Sequence, residues 1–118
     1  MGRKLEFSST FDFLSSVDQV ITRLLPFNPR VDQVANALGL SARTLQRRLK
    51  EGDERFAKLL SKARRREAYR LLGQSEKSII DIASELGYSS PSVFSRAFQK
   101  WEGLSPSQYR KLLRSKVC

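Results

Sequence analysis

The chain has 118 residues, 40% of them hydrophobic, enough for one compact unit or two small subdomains with a modest core, which excludes disorder throughout. Lys and Arg number 22 against 12 acidic residues, a formal net charge of +10 that points to a polyanion as partner. There is no histidine, and the one cysteine is the terminal Cys118, so the sequence offers no imidazole base, Cys/His zinc cluster or disulfide framework; no enzyme, metal or cofactor is expected.

The charge is unevenly placed. Between Arg43 and Arg70 stand 11 basic and four acidic residues, so seven of the ten net positive charges fall in that segment. No run approaches the roughly 18 apolar residues of a membrane span, and Met1-Gly-Arg-Lys lacks the apolar core of a signal peptide. The expectation is a soluble protein of the reducing cytoplasm.

Residues 1–10 are polar and read as an N-terminal tail. After Ser9-Thr10, the apolar positions Phe13, Val17, Val20, Ile21 and Leu24 recur at helical spacing until Pro26, with Phe27-Asn-Pro29 as the loop. Val31, Val34, Ala35 and Leu38 form one helix stripe, Gly39 stops it, and Ser41 caps a second helix that ends near Lys50. Helix, tight glycine turn and helix make a helix-turn-helix. Glu51-Gly52-Asp53 marks a break before a long helix carrying Phe56, Leu59, Leu60, Ala63, Leu71 and Leu72, predicted to close at Gly73.

Ser78, with Asp81 three residues on, then opens a helix with Ile79, Ile82, Ala83 and Leu86 on one stripe, stopped by Gly87. Ser90 caps the next, with Pro91 at its first position, and Gly103 ends it. Ser105-Pro106 begins a last short helix, predicted to run through Leu113. No strand pattern occurs. The fold class is all-α with about seven helices: a first helix-turn-helix subdomain over 11–52, a linker helix over 53–73, a second subdomain over 74–114 and a tail over 115–118.

The two helix-turn-helix stretches repeat one another. Val31 to Ser41 is echoed by Ile79 to Ser89 at an offset of 48 residues, which becomes 49 in the second helix, where Leu45 matches Phe94 and Leu49 matches Phe98. One residue has therefore entered the second turn. With Leu45 as the buried direction, at about 100° per residue, Arg43, Gln46, Arg47 and Lys50 cluster on the opposite face; from Phe94 the same construction selects Ser92, Ser95, Arg96 and Gln99. These residue types reach DNA base edges and phosphates.

The pattern resembles the DNA-binding domain of the AraC/XylS family of bacterial transcription regulators over roughly residues 11–114. The resemblance is carried by Leu38-Gly-Leu-Ser-Ala-Arg-Thr-Leu-Gln-Arg-Arg-Leu49, Ala68-x-x-Leu71-Leu72, Ile82-Ala-Ser-Glu-Leu-Gly-Tyr88 and Phe94-Ser-Arg-Ala-Phe98, then Trp101, Gly103, Ser105, Pro106 and Tyr109-Arg110. It implies two recognition helices in successive major grooves. The base readers are then expected at Arg43, Gln46 and Arg47 and at Ser92, Ser95 and Arg96. Where many members have an apolar residue after the arginine of the linker helix, this chain has Arg64-Arg65-Arg66. Members also carry an effector-binding or dimerisation domain ahead of this one, and no segment here matches it. The chain thus reads as the monomeric DNA-binding portion of a regulator, expected to activate transcription and, in its longer form, to engage RNA polymerase.

Phosphate contacts are expected from Lys50, Lys62, Arg64, Arg65, Arg66, Gln99 and Lys100; the competing reading of the linker arginines is a solvated face partly paired with Glu67. Phe94, Phe98 and Trp101 share one side of their helix and are expected in the core. A DNA-repair methyltransferase with a similar double motif would need a cysteine cluster that the sequence lacks. A basic helix lying on a membrane is disfavoured because the apolar stripes have partners within the chain. The alternative function is a non-specific or architectural DNA binder, holding phosphates without reading sequence.

Overall fold

Ser9 Oγ accepts the Asp12 amide at 3.1 Å and starts α1 (Thr10–Leu24). From this cap onward the computed structural model describes residues 9–117; residues 1–8 of the expected tail, and Cys118, lie outside the described residues. Pro26 cannot donate into a continuing helix, and the chain passes through a 3-10 turn (Leu25–Phe27). The remaining helices are α2 (Val31–Ala37), α3 (Ala42–Glu51), α4 (Phe56–Gln74), α5 (Ile79–Glu85), α6 (Pro91–Glu102) and α7 (Pro106–Val117). Seven α-helices are thus present among the described residues, with no strand. Their contacts divide the chain into two units, one ending at Ala63 and one beginning at Arg64.

In the first unit, Phe13, Val17, Val20 and Ile21 of α1 are buried, as are Val34, Ala35 and Leu38 of the α2 region and Leu45 and Leu49 of α3. These are the stripes that helical spacing selects, except that Leu24 and Val31 are only half-buried, and burying a Val, Leu, Ile or Phe side chain contributes about 1.5–3 kcal/mol. Leu25 of the 3-10 turn and Leu59 and Ala63 from the first half of α4 are buried with them. Ser41 Oγ accepts the Thr44 amide at 3.1 Å and caps α3. The turn between α2 and α3 is closed by two amides: Gly39 donates to Asn36 O at 3.0 Å and Leu40 to Ala35 O at 2.9 Å, with Gly39 left-handed at φ 73°.

The second unit repeats this turn bond for bond. Gly87, at φ 84°, donates to Ser84 O at 3.1 Å, and Tyr88 donates to Ala83 O at 3.0 Å. Ser89 is the inserted residue, taken up between this turn and the cap, where Ser90 Oγ accepts the Val93 amide at 3.2 Å. Phe98 is surrounded by rings, with centroids 5.4 Å from Tyr69 and from Tyr109 and 6.0 Å from Phe94 and from Trp101. Ala68, Leu71, Leu72, Ile82, Ala83 and Leu86 are buried with it. A reciprocal cap opens α7: Ser105 donates its amide to Gln108 Oε1 at 2.9 Å, while Ser105 Oγ accepts the Gln108 amide at 3.2 Å.

The break expected at Glu51-Gly52-Asp53 is present, and two later boundaries differ from the sequence expectation. At the end of α3 the left-handed residue is Asp53, at φ 59°, while Gly52 keeps φ −90°. Asp53 and Glu54 close the same kind of turn, donating to Lys50 O at 2.9 Å and Leu49 O at 2.8 Å. Gly52 meets a packing demand instead, since a Cβ there would stand 3.3 Å from Thr10 Cγ2. Gly73 does not close α4, which runs one residue further to Gln74. Finally, α7 continues past Leu113 to Val117, because neither Gly nor Pro follows Leu113 to break it.

Candidate nucleic-acid interface

Leu45 and Leu49 anchor α3 in its unit, and the helix period then sends Arg43, Gln46, Arg47 and Lys50 outward, where all four are exposed. Glu51, which the helical construction from sequence passed over, shares that surface: Arg47 Nη1 and Glu51 Oε2 are 3.1 Å apart, one helical turn on. Arg48 points inward, its guanidinium 4.5 Å from the centroid of the Phe13 ring. Neighbouring cations of one helix thus have different surroundings, set by helix phase alone. Arg43, Arg47 and Lys50 are presented to solvent and Arg48 is packed.

On α6, buried Phe94 and Phe98 fix the phase, and Ser92, Arg96, Gln99 and Lys100 are exposed. Ser95 is half-buried, so a short hydroxyl is less open there than the helical wheel implies. The face carries two cations, Arg96 and Lys100. Glu102 at the helix end is engaged by the hydroxyl of Tyr69, which donates to its Oε2.

The basic residues of α4 separate into distinct environments. Lys62 is exposed and lies 4.0 Å from the carboxylate of half-buried Glu54. Arg66 is exposed, with Nε 3.6 Å from Glu67, a carboxylate that also binds Arg70 at 2.8 Å. The pairing of this arginine run with Glu67 is therefore present, and it leaves both guanidiniums about half exposed. Arg65 is exposed but laid along two rings, 5.8 Å from the Tyr69 centroid and 5.9 Å from that of Trp101.

Arg64, one of the expected phosphate contacts, also has protein partners of its own. Its Nε donates to Leu86 O at 2.9 Å and its guanidinium lies 5.3 Å from the Tyr88 centroid, so it ties the glycine turn of the second unit to α4. The physical reason is that Leu86 is the C-cap of α5, where helical carbonyls lack intrahelical partners. The sequence held a signal for this: Arg64 precedes Ala68 by four residues and Leu71 by seven, which puts it on their buried stripe. Burial pushes the Tyr88 hydroxyl above its ordinary pKa, and the adjacent Arg64 pulls the other way. Burial likewise raises Tyr69, with its bond to Glu102 adding to the rise and Arg65 opposing it.

No helix among the described residues is long and apolar enough to cross a membrane. A family model described as a helix-turn-helix domain matches residues 34–112. The chain is 39% identical over 89 residues to the HTH-type transcriptional regulator VirS of Mycobacterium tuberculosis, an alignment covering 75% of this chain and 26% of VirS. It spans only about a quarter of the length of the first curated relatives it matches. Among solved structures, the AraC-type DNA-binding-domain regulator of Chromobacterium violaceum superposes with a TM-score of 0.70 at 26% identity, covering 83% of this chain and 88% of that one. The DNA-binding domain of AdpA, a global transcriptional factor solved in complex with a target DNA, gives 0.69 at 28% identity, covering 87% and 94%.

Proposed function

The chain belongs to the AraC-type helix-turn-helix family of bacterial transcription regulators, and from that membership we propose that it binds a specific, asymmetric duplex DNA site as a monomer, with α3 and α6 in successive major grooves. Arg43, Gln46 and Arg47 read bases in one groove; Ser92, Ser95 and Arg96 read in the other. Each side chain suits its role by shape, since a guanidinium pairs bidentately with guanine O6 and N7, a Gln amide with adenine N6 and N7, and a serine hydroxyl with either. Lys50, Lys62, Arg65, Arg66, Gln99 and Lys100 hold phosphates, which sets affinity and salt dependence rather than sequence.

The observation that carries this reading is the pairing of two turns built by the same hydrogen bonds with two outward faces that differ in chemistry. Equivalent scaffolds with unequal faces suit an asymmetric site, its two halves about 10 bp apart. In the longer regulator the domain directs RNA polymerase to a promoter and activates it. Selection of bound duplexes from a random pool tests the reading, with affinity for the selected and a scrambled site then measured at several salt concentrations. A specific binder keeps a ratio of roughly 10³ or more at fixed salt. A ratio near one, or a perfect palindrome holding two chains, contradicts it. A promoter reporter carrying the selected site tests activation with the full-length regulator.

A further inference from the structure

Glu51 is a carboxylate on the outward face of α3, where a polyanion is proposed to dock, and its presence there needs a reason. Helix stability does not supply one. Glu51 is the last residue of α3, where a negative charge opposes the helix dipole. The order Arg47 then Glu51 is the weaker orientation for a pair four residues apart, and the side chains are 60% and 62% exposed, so solvent screens their attraction. Phosphate binding does not supply one either, because the carboxylate repels it.

The geometry of the pair does. The contact uses Nη1 of Arg47, at 3.1 Å from Glu51 Oε2, and among the described residues that guanidinium has no second partner. Nη1 lies on the Cδ side of the guanidinium, so the opposite edge, formed by Nε–H and Nη2–H, stays whole. That edge is a two-donor fork of the spacing that matches O6 and N7 of guanine. An exposed arginine otherwise samples many rotamers, and each must be given up when it docks on a base. We infer that Glu51 is a positioning residue for base reading: it holds Arg47 by Nη1 and presents the Nε and Nη2 edge to one guanine. This rests on the reading of α3 as a base-reading helix. Affinity for DNA in general is lowered by the carboxylate, and discrimination at one base pair is raised.

The test compares the wild-type chain with Glu51→Ala, Glu51→Gln, Arg47→Ala and the Arg47→Ala/Glu51→Ala double variant, all checked for helical content. Each is titrated with the selected duplex, with every single-base variant of it, and with random duplex. Glu51→Ala is expected to strengthen binding to random duplex while lowering discrimination by about 3- to 10-fold at the one position that Arg47→Ala also affects. Glu51→Gln, whose amide oxygen remains a weaker acceptor, falls between. In the Arg47→Ala background the second substitution leaves discrimination unchanged. If Glu51→Ala keeps wild-type discrimination at every position, or its loss persists when Arg47 is already alanine, the inference is overturned while the DNA-binding reading stands. A wild-type chain that binds selected and random duplex equally overturns both.

Discussion

The guanidinium of Arg110, on α7, donates from Nε to the carbonyl of Leu72 in α4 at 3.1 Å, joining residues 38 apart in sequence. Its Nη2 also reaches Leu71 O at 3.1 Å and Ser75 O at 3.2 Å, and its Nη1 donates to Lys77 O. Carbonyls at a helix end run short of intrahelical donors; this one side chain serves those of Leu71 and Leu72, the former shared with the amide and hydroxyl of Ser75, and two carbonyls of the loop that follows. Hydrogen bonds from a charged group contribute about 1.5–3 kcal/mol each in favourable settings, without adding in full. Arg110→Ala is therefore expected to destabilise the second unit by about 2–4 kcal/mol. Arg110→Lys should recover less than half, because an ammonium lacks the planar fork. Urea unfolding followed by circular dichroism and by Trp101 fluorescence checks both.

Arg47 and Arg96 hold equivalent places two residues after Leu45 and Phe94, and both are exposed. Each Arg→Ala substitution is expected to cost about 1–3 kcal/mol on the selected site and to relax discrimination at one base position, the two positions lying about one helical turn apart. Affinities against single-base variants measure this, with circular dichroism as the folding control. Uniform loss against every duplex would assign the arginine to a phosphate.

The arginine run of α4 should split by substitution. Arg64→Ala removes a bond to Leu86 O and a ring contact, and is expected to lower stability by about 1–3 kcal/mol. Arg66→Ala, on an exposed side chain, should change stability by less than about 0.5 kcal/mol. It should instead flatten the salt dependence of DNA binding by up to about 0.9 in slope. Denaturant midpoints and binding at several salt concentrations separate the two effects.

Glycine substitutions should act in opposite directions. At Gly39, φ 73° is unfavourable for any L side chain although nothing stands within 4 Å of an added Cβ, so Gly39→Ala costs about 1–2 kcal/mol from backbone strain alone. At Gly73 the helix is regular and the nearest atom is the flexible Leu113 Cδ1 at 3.4 Å. Gly73→Ala is expected to gain up to about 1 kcal/mol of helix propensity. Asp53→Gly, relieving the left-handed aspartate, should gain up to about 1 kcal/mol. Thermal melts of the three variants give the signs directly.

Tyr69, Tyr88 and Tyr109 all have hydroxyl pKa values raised above the ordinary 10, with burial the largest cause in each. A raised pKa means that the folded state favours the protonated phenol. Their contribution to stability is thus fully present below pH 10 and is lost as pH rises through the folded values. Unfolding free energy measured from pH 8 to 11 should fall at the alkaline end. Tyr88→Phe should flatten part of that fall, since burial alone raises Tyr88 and no carboxylate adds to it.

Much of this architecture was legible because two periodicities coincide. The stripe residues Val34, Leu38, Leu45 and Leu49 repeat as Ile82, Leu86, Phe94 and Phe98, and all eight are buried. Small polar caps were equally readable, since Ser41, Ser78 and Ser90 each accept the amide three residues on. What stayed hidden is of another kind. Arg64, Arg65 and Arg66 are identical letters, and only their partners, Leu86, Trp101 and Glu67, tell them apart. The role of Arg110 depends on carbonyls more than 30 residues away. Gly73 was misread for a local reason: glycine can mark a left-handed helix stop but is also tolerated inside a helix, and the letter alone does not say which.

The duplicated turn has a bearing on how such a chain can change over time. Its hydrogen bonds run backbone to backbone, from Gly39 and Leu40 in one copy and from Gly87 and Tyr88 in the other, so they do not depend on the side chains that face outward. Arg43 and Gln46 stand where Ser92 and Ser95 stand in the other copy, and Arg47 matches Arg96, while both turns have the same shape. Surface residues of each helix are therefore free to be exchanged by mutation without renegotiating the frame beneath them. Either copy can be retargeted while the other is left alone, which makes the scaffold a source of new specificities rather than a constraint on them.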